Sequence, residues 1–217
     1  GIKPEDTSGP EVYDAFTSAL RSGPFANLVS SRPVMIRLLA TIVDQWIIVT
    51  DEFIDRLRCD MAAFGDHFPE LREVSVVQKI TGGISDSHDH GRSVLILEFD
   101  TAAKIVYKPR PIGAEQAWKG LSGWLVNSGS DIRLGAAQTW CLSDYGWMAH
   151  VDHGAALSSD RASVFYRASG QLLALLYCLK GSDMHHENVV IADGRPVVID
   201  LETLFQPELR HLPGGTK

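Results

Sequence analysis

The 217-residue chain is long enough for one large domain or two small ones. Its 45% hydrophobic and 22% charged residues lie near the averages for folded soluble proteins, which excludes a disordered or fibrous chain. A net charge of -7 opposes a broad electrostatic grip on nucleic acid or on an anionic membrane, so no nucleic-acid partner is expected.

Residues 1–33 carry Gly, Pro and Ser breakers around a short helix predicted over Glu11–Leu20. From Val34 the apolar positions Met35, Leu38, Leu39, Ile42, Trp46, Ile47, Phe53, Ile54 and Leu57 recur at helical spacing, predicting one or two amphipathic helices that end near Gly65. No apolar run approaches the roughly 18 to 20 residues of a membrane span, and no signal peptide opens the chain. Cys59, Cys141 and Cys178 are too few and too far apart for a disulfide framework or a Cys-based zinc site, which fits a reducing cytoplasm.

Three strands are predicted next, over Glu73–Ile80, Ser93–Phe99 and Lys104–Tyr107, separated by Gly82-Gly83 and Asp100-Thr101 and forming a small antiparallel sheet. A helix over Ala114–Asn127 follows, and two more strands are predicted over Thr139–Leu142 and Trp147–Val151. Asp160 caps a helix whose stripe of Val164, Phe165, Ala168, Leu172, Leu175, Leu176 and Leu179 closes at Gly181. A polar run from Ser182 to Asn188 comes next. Val189–Ala192 and Pro196–Ile199 then flank Asp193-Gly194, a strong hairpin signal, and the hairpin ends at Asp200-Leu201-Glu202.

Asp183 and Asn188 share one loop, and the hairpin can bring Asp200 back beside them. Phosphoryl transfer by kinases needs such a set: one Asp for the accepting hydroxyl, and an Asn and an Asp to hold Mg²⁺ on the phosphates. Oxygen ligands suit hard Mg²⁺, so Asn188 and Asp200 are the expected metal ligands, with Asp200 bridging. Lys108, at a strand end, can reach triphosphate oxygens, and Arg110 can add a forked contact. The chain thus reads as a helical segment (1–72), a kinase-like N-lobe (73–137) and the start of a C-lobe (138–217).

Four motifs occur in order: Ser85-Asp86-Ser87-His88 before Gly91-Arg92, Tyr107-Lys108-Pro109-Arg110, Asp183-Met184-His185-His186-Glu187-Asn188, and Arg195 to Phe205 with Asp200 and Glu202 inside it. Together they resemble the dehydratase domain of class II lanthipeptide (lanthionine) synthetases, over about residues 12 to 207. The resemblance implies an α+β, lipid-kinase-like fold. It also implies phosphorylation of Ser and Thr in a leader-bearing precursor peptide with ATP and Mg²⁺, then elimination of phosphate to dehydroalanine or dehydrobutyrine. By motif, Lys108, Asp183, His185, Asn188, Asp200 and Glu202 belong to phosphorylation, and Asp86 and His88 to elimination. An Arg and a Thr that serve elimination further along in the family have no counterpart before Lys217. The C-terminal cyclase domain, where zinc is expected, lies outside this sequence, and Ser85 stands where many relatives are expected to carry Gly. An incomplete piece of a longer synthetase is therefore expected.

Two other readings fit parts of the pattern. Asp86-x-His88-x-His90 and Asp183-x-His185-His186 mix His and carboxylate as a metal-dependent phosphohydrolase would. That reading leaves Lys108, Asn188 and the hairpin without roles. A non-catalytic, kinase-like peptide-binding module is the second, against which the intact Lys, Asp, Asn and Asp positions argue. His67, His150, His153 and His211 are read as surface or packing residues, and Glu115 as a weak candidate partner for Lys108.

Overall fold

The computed structural model describes residues 10–73, 76–83, 89–154 and 159–205. Two compact units divide between Leu57 and Arg58. The first holds helices α1 (Pro10–Arg21) and α2 (Pro24–Ser31) and most of α3 (Pro33–Asp60). Pro24 and Pro33 open α2 and α3, where a missing backbone N–H leaves no hydrogen bond unmade. Leu38, Leu39, Ile42, Val43, Trp46 and Ile47 of α3 are all at least half exposed.

The helical stretch Pro33–His67 contains a window long and apolar enough to cross a membrane by length and composition. This corrects the expectation that no apolar run approaches that length. Arg37 and Asp44 interrupt the run in sequence, yet two charges do not make such a window polar. Core helices of soluble proteins and signal sequences pass the same measure, the former mostly buried; none of this window is buried.

The second unit begins within α3, fifteen residues or so before the boundary expected at residue 72, because the segment after Leu57 contributes core. Phe64, on the short helix α4 (Phe64–His67), and Phe68 are fully buried. Phe64 meets Phe99 edge-on at 6.2 Å and Trp147 at 4.8 Å between ring centroids. Asp60 is buried beside them and accepts hydrogen bonds at 2.7 Å from both Tyr145 Oη and Trp147 Nε1.

Five antiparallel strands form the sheet in the order β1-β2-β3-β5-β4. They are β1 (Val77–Thr81), β2 (Leu95–Phe99), β3 (Lys104–Lys108), β4 (Thr139–Cys141) and β5 (Gly146–Ala149). Because β5 pairs with β3 from Ile105 to Lys108, the lobe boundary expected at residue 137 falls inside the sheet: the helix α5 (Gly113–Asn127) is an excursion from it, not its end.

Period-two alternation sorts the strands. In register, Leu97 opposes Ile105 and Tyr107 opposes Trp147, and these buried side chains make the face that meets Phe64. The alternate residues Ile96, Val106 and Met148 also lie in register, and they line a cleft on the opposite face. Lys108, two residues after Val106, is on the cleft face too.

A second core joins α5, the helix α6 (Ser159–Cys178) and the hairpin of β6 (Val189–Ala192) and β7 (Arg195–Val198) through Trp118, Leu172, Leu176, Val198 and Leu201. The hairpin turn has Asp193 at φ 50° and Gly194 at φ 74°, the left-handed pair that a two-residue turn requires. At the end of α6, Lys180 takes the left-handed conformation (φ 52°), one residue before the expected Gly181. The amide of Gly181 donates to Leu176 O at 2.8 Å, which completes the helix cap.

Candidate active site

Strand β3 delivers Lys108 to the cleft end of the sheet, and the Pro109-Arg110-Pro111 turn leads directly into α5. Glu115, in the first turn of α5, therefore returns to Lys108. Its Oε1 lies 3.0 Å from Lys108 Nζ, and the two side chains are only 3% and 4% exposed. Lys108 Nζ also donates to Ile199 O at 2.6 Å, which ties the sheet to the end of the hairpin.

Burial opposes the charge on Glu115, but the ammonium of Lys108 and the guanidinium of Arg110 outweigh it and hold the carboxyl below its ordinary range. Glu115 Oε2 is buried and accepts no hydrogen bond among the described residues. Sequence alone left this pairing open. Its signal was the seven-residue interval from a strand-ending Lys to the first turn of the next helix.

Arg110 joins three carboxylates. Its Nη2 lies 2.9 Å from Glu115 Oε1 and 2.5 Å from Asp200 Oδ1, and its Nε lies 3.2 Å from Glu202 Oε2. The second oxygen of Asp200 lies 3.8 Å from Lys108 Nζ. Lys108, Arg110, Asp200 and Glu202, expected from sequence to act together, are thus brought into one cluster from segments about ninety residues apart.

The loop after α6 supplies the other groups. Asp183 adopts φ 58°, a conformation Asp tolerates better than most residues, and its carbonyl accepts from Asn188 Nδ2 at 2.9 Å. That bond commits the amide nitrogen and leaves Asn188 Oδ1 as an acceptor. The backbone of Asn188 continues into the hairpin, where Ile199 N donates to Asn188 O at 2.9 Å. His185 Nδ1 accepts from Glu187 N at 3.3 Å, and its Nε2 faces Asp183 Oδ1 at 3.5 Å.

Asp183, His185, Asn188, Lys108, Asp200 and Glu202 line one cleft of about 310 Å³, walled by Val94, Ile96, Val106, Met148, Val151 and Ile199. Its apolar wall with a polar end is the usual make-up of a small-molecule site. A neighbouring cavity of about 330 Å³ shares Asp200 and Glu202 and adds Arg92, Arg110, Asp89 and Asp144. His150, read from sequence as a surface or packing residue, lines the first cleft. Burial lowers its pKa, Lys104 adds to this, and together they outweigh Asp152, whose Oδ1 is 3.2 Å from Nδ1.

Asp86 and His88 lie outside the described residues, as does Ser85. Among the described residues no three His, Cys, Asp or Glu side chains stand where they could hold a metal ion, and of the His-rich pattern that suggested a phosphohydrolase only His90, Asp183, His185 and His186 lie among them. Asp200 and Asn188 do offer an oxygen-only donor set that fits Mg²⁺ in its usual style, with few protein ligands.

The chain is 29% identical over 119 residues to the lacticin 481/lactococcin biosynthesis protein LcnDR2 of Lactococcus lactis subsp. lactis. The match takes in 51% of this chain and 13% of the length of that relative. Residues 33–216, well over half of the chain, match the family described as "Domain of unknown function (DUF4135)". The two matches bear out the resemblance to part of a lanthipeptide synthetase, and the chain belongs to the DUF4135 family.

Proposed function

We propose that this chain carries the phosphorylation site of a lanthipeptide dehydratase, on a lipid-kinase-like fold: ATP-dependent phosphorylation of Ser or Thr in a leader-bearing precursor peptide, followed by phosphate elimination. The observation that carries the reading is the buried Lys108–Glu115 pair at 3.0 Å. It sets a cationic nitrogen 3.8 Å from Asp200, over a cleft that Asp183, His185 and Asn188 also line. The relative's role in lacticin 481/lactococcin biosynthesis supports the choice of a peptide as acceptor.

On this reading Val94, Ile96, Val106, Met148 and Val151 hold the base of the nucleotide, and Lys108 binds its phosphate oxygens. Asp183 accepts the proton of the attacking Ser or Thr hydroxyl, with His185 fixing its orientation, as the oxygen bonds to the terminal phosphorus and ADP leaves. Asn188 and Asp200 would hold Mg²⁺, and a bound Mg²⁺ would supply charge neutralisation for phosphoryl transfer. Asp86 and His88 serve the second step. A base removes the Cα proton, the electron pair forms the Cα=Cβ bond, and the Cβ–O bond breaks to release phosphate. The unpaired thiols of Cys59, Cys141 and Cys178 suit a cytoplasmic setting. The cyclase domain of the parent chain is the expected next station for the dehydrated peptide.

Mass spectrometry of a Ser/Thr-rich precursor peptide incubated with ATP, Mg²⁺ and the intact parent protein tests this. Loss of water is expected with wild type, no change with Asp183→Asn, and accumulated phosphopeptide with His88→Ala. A wild type that leaves the peptide unmodified yet cleaves simple phosphate esters with Mn²⁺ or Zn²⁺ overturns the reading.

A further inference from the structure

We propose that Arg110 is the resting counter-cation of Asp200 and Glu202, and that a divalent cation binds Asp200 only by displacing it. The inference rests on the reading of Asp200 as a metal ligand. One guanidinium touches all three carboxylates of the cluster: Glu115 Oε1 at 2.9 Å, Asp200 Oδ1 at 2.5 Å and Glu202 Oε2 at 3.2 Å. The Asp200 oxygen it occupies is one of the two that a metal could take, and the other lies 3.8 Å from Lys108 Nζ, so both face a cation.

Charge within the cluster favours this placement. Glu115, Asp200 and Glu202 face Lys108 and Arg110, three negative groups against two positive ones. Without a metal, Arg110 is needed on Asp200. A bound dication reverses the balance and repels Arg110 from that oxygen. The guanidinium then has two places to go. Glu115 Oε2 is buried without a hydrogen-bond donor and fits the second tooth of the fork. Phosphate oxygens in the cleft offer the same planar match.

Location adds a second consequence. Asp200 and Glu202 line both the nucleotide cleft and the neighbouring cavity, whereas Arg110 lines the latter. Arg110 thus meets, from the cavity's side, the two carboxylates that the cleft and the cavity share. Freeing Arg110 from Asp200 prepares the metal site. Metal and nucleotide must then bind with positive coupling, since phosphate gives Arg110 an alternative anion.

The test uses the intact parent protein and Mn²⁺ as probe, with free Mn²⁺ read by electron paramagnetic resonance, alone and with a non-hydrolysable ATP analogue. Wild type is expected to bind Mn²⁺ weakly alone and about tenfold or more tightly with the analogue. Arg110→Gln is expected to bind Mn²⁺ alone about tenfold more tightly than wild type and to show less coupling, keeping the part that comes from phosphate oxygens ligating the ion. Arg110→Lys, which keeps the charge without the fork, falls between them.

Unchanged or weaker binding of Mn²⁺ alone by a folded Arg110→Gln protein overturns the proposal. Should that variant fail to fold, Arg110→Lys and the wild-type coupling decide, and no gain in the first with no coupling in the second overturns it. A wild type that binds no analogue in either condition overturns the nucleotide reading and this inference with it. Analogue binding with Mn²⁺ affinities unaltered by either variant overturns the inference alone.

Discussion

Lys108 Nζ bonds Glu115 Oε1 at 3.0 Å and Ile199 O at 2.6 Å, so one ammonium pins the first turn of α5 and the end of the hairpin to the sheet. Removing Lys108 leaves Glu115 buried with Arg110, at 2.9 Å, as its remaining cation and takes the donor from Ile199 O. Lys108→Met is therefore expected to destabilise the fold by about 3–5 kcal/mol. Glu115→Gln should lose less, because Asp200 remains 3.8 Å from the ammonium. Lys108→Met/Glu115→Leu should recover much of the loss. Urea unfolding of the three variants decides: a double-variant loss as large as the two single losses added together would mean that the two charges do not act as a pair.

His150 provides a pH-dependent contribution. Burial lowers its pKa from the ordinary 6.5, so the folded protein takes up the proton less readily than the unfolded chain. The corresponding stability is complete above about pH 6.5 and is lost as pH falls from there through the folded value. Wild type is expected to lose more stability than His150→Gln between about pH 7.5 and pH 5, read as the difference in urea midpoint. Parallel pH profiles would remove His150 as the source. Because His150 lines the cleft, the proposed nucleotide site should also show, over the same range, a larger change in affinity in wild type than in the variant.

Asp60 holds the back of the sheet. Its Oδ2 accepts from Tyr145 Oη and from the buried Trp147 Nε1, each at 2.7 Å. Asp60→Ala strands the indole N–H in the core and is expected to cost about 1–3 kcal/mol. Asp60→Asn keeps one acceptor oxygen and should cost less. Thermal unfolding that ranks the two variants the other way would place the contribution of Asp60 elsewhere.

Much of this architecture is legible in the sequence because its signals are local. The Asp193-Gly194 turn specifies its own hairpin, and the alternation of Leu95 to Phe99 and Lys104 to Lys108 marks two sheet faces. What escaped was non-local. Pairing of β5 with β3 across α5 depends on Tyr107 and Trp147 meeting, which no window of sequence contains. Pro24 and Pro33 read as breakers, although at a first helical position they start helices as readily as they end them. Within the site, Lys108, Asp183, Asn188 and Asp200 were marked by residue type and order. His150 was not, since a lone His after a strand has no distinguishing pattern. Arg110 was marked as a phosphate contact, but its grip on Asp200, Glu202 and Glu115 follows from the hairpin's return.

The position of that hairpin depends on Gly135. A Cβ added there would lie 2.5 Å from Val197 Cγ2 and 2.7 Å from Pro196 O, too close for either to remain. Gly135 also bridges to Val197, and its carbonyl accepts from Trp118 Nε1 at 3.1 Å, so β7 is held between a backbone contact and the second core. Gly135→Ala must push β7 away from the backbone at residue 135, and overpacking of this kind costs about 1–3 kcal/mol. Val197→Ala alone opens space and is expected to lose about 0.5–1.5 kcal/mol or somewhat more. In the double variant the clash with Cγ2 disappears while that with Pro196 O remains, so Gly135→Ala/Val197→Ala should be more stable than the sum of the single losses predicts. Urea unfolding measures this coupling. Strict additivity would show that Gly135→Ala acts through the Pro196 carbonyl alone. The same displacement moves Ile199 O and Asp200 relative to Lys108, so on the proposed function nucleotide affinity should fall in Gly135→Ala and recover in part in the double variant.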